Sequence, residues 1–409
     1  MRLLTITTLF VAFLNSDAFG AVDQLYIKSL SRSKQVEVFN LTEKASLSNF
    51  EARKSTLFPS LDLISSNSYG NNAVNNFSDE NEIDTQVAVS LEQAVFQGGA
   101  EFAINDLNKV VPKQAKALKE ASLAEYYGQF TTLYFKVSSA VEENEKIESL
   151  LNNLAKRVSL VKKRTRIGRD RKADLYALES QLHRLRAELA TSKANLKAAR
   201  TDFLNFSGLN SIEITKDEIK PASLELSKSV DLQKRPEIKN LQYQYESSLL
   251  EQKIEKSSYY PQVGLQANYF LDKSSLGRND WEVSLNIRMN LLDFGQRSSN
   301  VETKALQARI SKARLEFNRL NATRQWDNFI DSFNAKKREL ASLTTALNRI
   351  RASYQEQLKD IQKGLVTQIE VIRSLDDVIN LEKLKIRSAL EVKSLYYQAK
   401  AYLGELPKR

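Results

Sequence analysis

Four landmarks recur in this chain at one fixed offset. Gly99, Gly168, Asp174 and Gly208 correspond to Gly295, Gly364, Glu370 and Gly404, each pair separated by 196 residues. Such a chain is expected to fold as two copies of one series: helix, strand, loop, strand, long helix, tight turn, return helix. The spacing inside a copy also carries mechanical content. Gly99 to Gly168 and Gly295 to Gly364 each span 69 residues. A helix of that length is a rod of roughly 100 Å, whereas an ordinary globular helix has about 11–12 residues.

Composition and periodicity agree with unbroken rods. The 409 residues include 12 Gly and 6 Pro, too little turn chemistry for a compact sandwich or α/β enzyme. Apolar positions step by three and four through Tyr126, Phe130, Leu133, Val137 and on to Leu154, Val158 and Val161 in the first rod. Phe329, Phe333, Leu340, Leu347, Ile350 and Tyr354 keep the same phase in the second. The first return helix has its own seam at Leu178, Leu182, Leu185 and Leu189. A sustained period of 3.5 means coiled-coil packing. Asn144 and Lys336 interrupt the seams as register-setting or solvated polar positions, and Pro112 predicts a kink near the start of the first rod.

Between the helices lie four alternating segments. Phe58-Pro59 ends a helix and opens a strand at Ser60 to Tyr69; a second runs from Ile83 to Phe96. Tyr259-Tyr260-Pro261 does the same job for Val263 to Leu271, followed by Trp281 to Leu292. Val263, Leu265, Ala267 and Tyr269 alternate with Gly264, Gln266, Asn268 and Phe270; Trp281, Val283, Leu285 and Ile287 alternate with Glu282, Ser284, Asn286 and Arg288. A soluble half-buried sheet has the same local pattern. Strands of about ten residues with one apolar and one charged face are those of an outer-membrane barrel. Four strands leave two open edges, which lipid forbids, so closure needs other chains. Three copies give twelve strands and two give eight, and a hollow conduit favours three.

The first twenty residues read as a secretory signal: Arg2, the apolar run Leu3 to Leu14, and Ala18-Phe19-Gly20 before Ala21. No later run approaches the ~20 apolar residues of a membrane-spanning helix. Zero Cys removes disulfides, thiolate metal sites and lipid attachment through an N-terminal Cys. One His, His183, leaves no His-clustered metal site and is read as a surface helix residue. Glu142-Glu143 and Asp376-Asp377 are neighbours on a helix and diverge by about 100°, so a shared catalytic site is not expected. The chain is read as no enzyme, with no cofactor and no metal. Its net charge of +10 peaks in the basic run Lys162 to Lys172. That run lacks interleaved aromatics, so it is read as a solvated tip that attracts an acidic protein or anionic cargo, not nucleic acid.

Several of these stretches together resemble one family. They are Arg235-Pro236-Glu237-Ile238, Tyr260-Pro261-Gln262-Val263, the run from Leu291 to Arg297 (Leu-Leu-Asp-Phe-Gly-Gln-Arg), and the paired turns at Gly168 and Gly364. With the repeat, they resemble the TolC-like outer membrane efflux proteins, the outer-membrane factors of tripartite efflux or type I secretion systems. The resemblance implies a mixed α and β membrane protein. In it a homotrimer closes a 12-strand outer-membrane β-barrel continuous with a periplasmic α-helical barrel roughly 100 Å long. It also implies a passive exit duct that takes cargo from an inner-membrane pump or ABC transporter through a periplasmic adaptor.

By resemblance, Ile167, Gly168 and Arg169, with Lys363, Gly364, Leu365 and Val366, form the tip turns that dock the adaptor. Asp174, Glu370 and Arg373 fall at the periplasmic aperture. Family members carry a Tyr three before the second Gly, an Arg two after it and two aspartates at the constriction. Here Ile361, Val366, Glu370 and Arg373 stand in those places, so the inherited gate is absent.

The expected organisation is a signal peptide at 1–20 and a first repeat at 21–208, with a β-hairpin about 60–96 and a helical hairpin about 98–208. A linker or equatorial collar at 209–231 follows. The second repeat at 232–404 has a β-hairpin about 262–292 and a helical hairpin about 296–404, and 405–409 is a short tail. The alternative reading is a soluble periplasmic coiled-coil adaptor or scaffold. It would need a sandwich-like or lipoyl-like module, and no such run of short strands is found.

Overall fold

The computed structural model describes residues 21–70, 82–212, 220–271 and 280–407. The signal segment at 1–20 and part of the linker, 213–219, lie outside the described residues. The elements run α1 (Ala21–Ser29), α2 (Lys34–Ser55), β1 (Ser60–Gly70), β2 (Glu82–Gln97), α3 (Ala100–Arg166) and α4 (Lys172–Ser207). After them come α5 (Pro236–Lys256), β3 (Gln262–Phe270), β4 (Trp281–Arg288), α6 (Gln296–Asp360) and α7 (Gln368–Leu403). The fold is mixed and mostly helical, with 67 residues in α3 and 65 in α6. Among the described residues no helix is long and apolar enough to cross a membrane.

Contacts divide the chain into two units. The first comprises 21–37 with Ala124–Val230 and Gln325–Arg409, and its described residues form helices and connecting turns. One core lies where α1 docks on α3, α4 and α7. Tyr26 meets Tyr127 edge-on at 4.6 Å, Tyr126 stacks on Phe206 at 4.8 Å, and Phe130 approaches Phe203 at 5.0 Å. The Tyr127 hydroxyl donates to Asp23 at 2.6 Å and the Tyr126 hydroxyl to Ser29 at 3.2 Å, partners that buried tyrosines require. A second core joins Ile147, Leu154 and Val158 of α3, Leu178, Leu182 and Leu185 of α4, and Ile372, Leu375 and Ile379 of α7. Most are seam positions, and each fully buried side chain contributes about 1.5–3 kcal/mol. The linker is more than a connector. Leu224 is buried against Phe333 and Val392, and its carbonyl accepts from Lys337 at 2.7 Å.

Of the two polar seam residues, Asn144 is buried, whereas Lys336 is half exposed and bridges Glu339 and Glu391, each at 2.8 Å. His183 is exposed on α4.

The second unit, Val38–Leu123 with Asp231–Arg324, holds the sheet and the helices that lead into it. Phe50 of α2, Leu107 of α3 and Leu250 of α5 form its helical core. α3 continues without interruption across Pro112. Proline forfeits one helical hydrogen bond, but Val110 and Val111 of the same turn pack on that core and hold the helix.

The four strands form one antiparallel sheet in the order β1-β2-β3-β4. The register sets Leu63 against Val89, Leu91 against Ala267 and Leu265 against Leu285, so the apolar residues of all four strands share a face. Leu61, Leu63, Leu285 and Ile287 on it are 61–71% exposed. The other face is polar and more closely packed. Ser90 is fully buried there, Gln266 donates to it at 3.3 Å, and Asn286 donates to Gln266 at 3.3 Å.

Two details depart from the alternation read in sequence. Gln93 pairs with Leu265 and so sits on the apolar face, its amide spent on the carbonyls of Leu57 and Ala94 at 3.0 and 2.6 Å. β4 ends at Arg288 rather than Leu292, because β3 begins at Gln262, opposite Arg288, and offers no ladder beyond it.

Candidate functional site

The seven turn residues singled out from the sequence occupy two reversals of the same construction, both in the helical unit. α3 ends at Arg166, and Gly168 adopts φ 74°. The Gly168 amide donates to Thr165 O at 3.1 Å, and the Arg169 amide to Arg164 O at 2.9 Å. After α6 a single 3-10 turn, Ile361–Lys363, leads to Gly364 at φ 77°. There the Gly364 amide donates to Ile361 O at 3.2 Å and the Leu365 amide to Asp360 O at 3.1 Å. These bonds use up the last carbonyls of each helix, and the left-handed residue that closes them is glycine because other L residues adopt that φ at a cost. A Cβ at either glycine would touch nothing within 4 Å, so backbone conformation rather than space selects it. Ile167 and Leu365 project from the reversals with 66% and 70% of their surface in water. Arg169 and Lys363 are also exposed, and Val366 is half-buried.

Charge distinguishes the two reversals. Around Gly168, the exposed Lys162, Lys163, Arg166, Arg169, Arg171 and Lys172 surround one ion pair, Arg164 to Asp170 at 3.1 Å. Around Gly364, Lys359 pairs with Glu356 at 2.8 Å and Lys363 lies 3.9 Å from Asp360. The first reversal is strongly basic and the second is nearly balanced.

The three aperture candidates stand in the first two turns of the return helices. Asp174 is half-buried in the first turn of α4, where a carboxylate complements the helix dipole. Glu370 is exposed but already has a structural task. Its carboxylate accepts the Thr367 amide at 3.0 Å, while Thr367 Oγ1 accepts the Glu370 amide at 3.4 Å, a complete capping box. Arg373 points outward between the buried Ile372 and Leu375, as the 100° step of a helix requires. Glu370 and Arg373 thus reach solvent one turn apart on α7, and no bond joins them to the Gly168 reversal.

Polar ties hidden from the sequence reading hold the same end of this unit. Arg157 of α3 donates to Tyr354 of α6 at 3.5 Å and to the buried Gln368 of α7 at 3.3 Å, so one guanidinium links three helices. Asp376 of α7 accepts from Gln181 of α4 and lies 3.7 Å from Arg184. Burial raises the Asp376 carboxyl above its usual value, against the opposing pull of Arg184 and Gln181. Thr367-Gln368-Ile369-Glu370 was a readable T-x-x-E cap signal. Arg157 and Asp376 had none, since their partners lie about two hundred residues away. Among the described residues no group of three His, Cys, Asp or Glu side chains could hold a metal ion.

A family model described as Outer membrane efflux protein matches residues 229–400. No curated protein matches the chain. Among solved structures, the outer membrane protein VceC of Vibrio cholerae superposes with a TM-score of 0.81 at 15% identity, over 95% of this chain and 97% of its own. The CmeC outer membrane channel of Campylobacter jejuni gives 0.80 at 12% identity, over 95% and 87%. The MtrE outer membrane channel of Neisseria gonorrhoeae, solved in its open state, gives 0.76 at 13%, over 95% and 90%. The family and folds matched are those of channels rather than enzymes. Residues 229–400 therefore match the model of the outer membrane efflux protein family, and the chain carries the fold of outer-membrane channels along nearly its whole length.

Proposed function

We propose that this chain is the outer-membrane exit duct of a tripartite efflux or type I secretion system. Three copies close a 12-strand barrel in the outer membrane and a helical tunnel in the periplasm, each copy contributing two repeats of β-hairpin and helical hairpin. The protein is exported through the signal segment at 1–20 and conducts passively. An inner-membrane pump or ABC transporter delivers cargo through a periplasmic adaptor. The adaptor docks on the reversals at Ile167, Gly168 and Arg169 and at Lys363, Gly364, Leu365 and Val366. Asp174, Glu370 and Arg373 line the aperture, with Arg373 making it less cation-selective than a ring of aspartates.

One observation carries this reading: a four-stranded sheet that is open at both edges and turns an apolar face outward. Leu61, Leu63, Leu91, Leu265, Tyr269, Trp281, Val283, Leu285 and Ile287 are all exposed on that face. Leaving each in water forgoes about 1.5–3 kcal/mol relative to burial, and unpaired edges in lipid cost several kcal/mol for each unsatisfied group. Partner strands at the edges and lipid on the face remove both costs. The test is single-channel conductance of the purified mature protein in a planar bilayer, together with its mass in detergent. A trimer with a discrete conductance is expected; a water-soluble monomer or dimer without conductance overturns the reading.

A further inference from the structure

The polar face of the sheet is hollow at one place. Ala94, Gly264 and Asn286 are level on β2, β3 and β4, a row of short side chains. The row above it, towards the hairpin tips, holds Glu92 and Gln266. The row below it, towards the helices, holds Gln97, Gln262 and Arg288. Between these rows lies a cavity of about 480 Å³, to which β4 contributes Asn286 and Arg288, both of the polar face.

The fold itself does not call for glycine at 264. Its φ is not in the positive region. A Cβ there would find its nearest contact, the Gln93 carbonyl oxygen, at an ordinary 3.8 Å. Glycine inside a strand weakens the strand and often marks the close approach of a ligand or another backbone. Beside it the ladder shifts between Ala94 and Phe96, a bulge of the kind found next to functional sites.

The charges at two corners of this trough are unspent. Glu92 and Arg288 are exposed, and among the described residues neither has an ion-pair partner. The side-chain amides of Gln97 and Gln262 likewise make no hydrogen bond among the described residues. Gln266 and Asn286, in contrast, are bonded to each other at 3.3 Å and to Ser90 and Ser284, which fixes the upper wall. A carboxylate, a diagonally opposed guanidinium and free amides match a molecule with an ammonium at one end, a carboxylate at the other and hydrogen-bonding groups between.

We infer that this trough is a subsite for short peptides with free termini, the ammonium held at Glu92 and the carboxylate at Arg288. The inference rests on the barrel reading above, which turns the polar face to the lumen. The size fits. Glu92 is level with Ser284 two strands away, and Arg288 lies four residues beyond Ser284. At about 3.3 Å per residue and about 4.8 Å per strand, the two Cα atoms are about 16 Å apart along the sheet. The reach of the two side chains shortens that gap to the about 10–14 Å spanned by three or four extended residues.

Saturation-transfer NMR on the mature protein in detergent tests the subsite, with tetraalanine free at both ends and its N-acetyl, C-amide counterpart as probes. The free peptide is expected to take up at least three-fold more saturation than the blocked one. Gly264→Val fills the trough with a residue that favours strands. It should keep the mass of the trimer in detergent and abolish the difference between the peptides. Arg288→Gln should bring the free peptide down to the level of the blocked one.

Equal transfer to both peptides, or a difference that survives Gly264→Val, overturns the subsite. So does an Arg288→Gln trimer that dissociates more readily while the peptide difference is unchanged, because Arg288 then serves a second copy across the open edge of β4. Should Gly264→Val not fold, Glu92→Gln, at an exposed position, takes its place with the same loss expected. Conductance of the same preparation keeps the two readings apart. A conducting trimer that ignores the peptide overturns the subsite and leaves the barrel standing. A soluble monomer without conductance overturns the barrel, and the lumenal subsite with it.

Discussion

Charged side chains on long helices look alike in sequence, and here their surroundings separate them. Glu382 is spaced like any heptad acid, yet its side chain is 8% exposed and lies between Lys146, at 3.2 Å, and Arg351. Asp376 is the mirror case, a half-buried carboxylate whose raised titration reflects burial outweighing Arg184 and Gln181. Because its folded-state pKa is raised, the folded protein binds a proton that the unfolded chain has already lost, and acid lowers the cost. Asp376→Asn is therefore expected to melt above the wild type at neutral pH. The difference should close as pH falls through the raised value towards 3.8, the ordinary carboxylate value. Thermal melts followed by circular dichroism between pH 7 and pH 4 would show it. A variant that melts lower at every pH would mean that Arg184 dominates. Arg373, exposed beside the buried Ile372 and Leu375, has no such internal task. Arg373→Asp is expected to shift the reversal potential in a salt gradient towards cation selectivity. An unchanged potential would remove Arg373 from the aperture.

The elements follow from two periods and a few breakers. The seams at steps of three and four became the buried stripes of α3 and α4, with Phe130, Val137, Ile147 and Leu154 all at most 2% exposed, and Phe333 and Leu347 of α6 are buried in the same way. The helix ends are set by glycines at positive φ, and these differ in what surrounds them. Gly364 stands in open space, so Gly364→Ala should cost only the left-handed backbone penalty of about 1–2 kcal/mol. Gly208 is confined as well: a Cβ there would lie 2.6 Å from the carbonyl oxygen of Arg32. Gly208→Ala must displace the backbone after α1 and should destabilise the protein clearly more than Gly364→Ala. Parallel denaturant titrations in detergent would rank them, and equal losses would show that the turn before α2 yields freely. The end of β4 was less legible. Alternation continued to Leu292, but a strand lasts only as long as its neighbour, and β3 offers nothing past Gln262.

At the scale of the whole molecule, the sheet has two open edges, since among the described residues no strand lies beyond β1 or β4. The four strands were legible before any coordinates, because each alternates apolar and polar residues between breakers. So were the mostly helical character, from scarce Gly and Pro, and the family, from short motifs around the turns. The candidate site was legible only in outline. The two glycine reversals could be located, but the contrast between a basic turn and a balanced one, and the capping duty of Glu370, depended on which side chains found partners.

The sequence by itself determined what repeats locally: long heptad rods, two-residue alternation in four strands, and the glycines that end helices. Each is a property of residues within a few positions of one another, so periodicity reveals it. The tertiary structure alone decided which charge meets which, as in Gln181 with Asp376 or Arg387 with Glu143, partners 195 and 244 residues apart. It also decided where β4 stops and that Ala94, Gly264 and Asn286 fall level on one face. Those outcomes depend on how helices and strands are set side by side in height and rotation, and no local period carries that information.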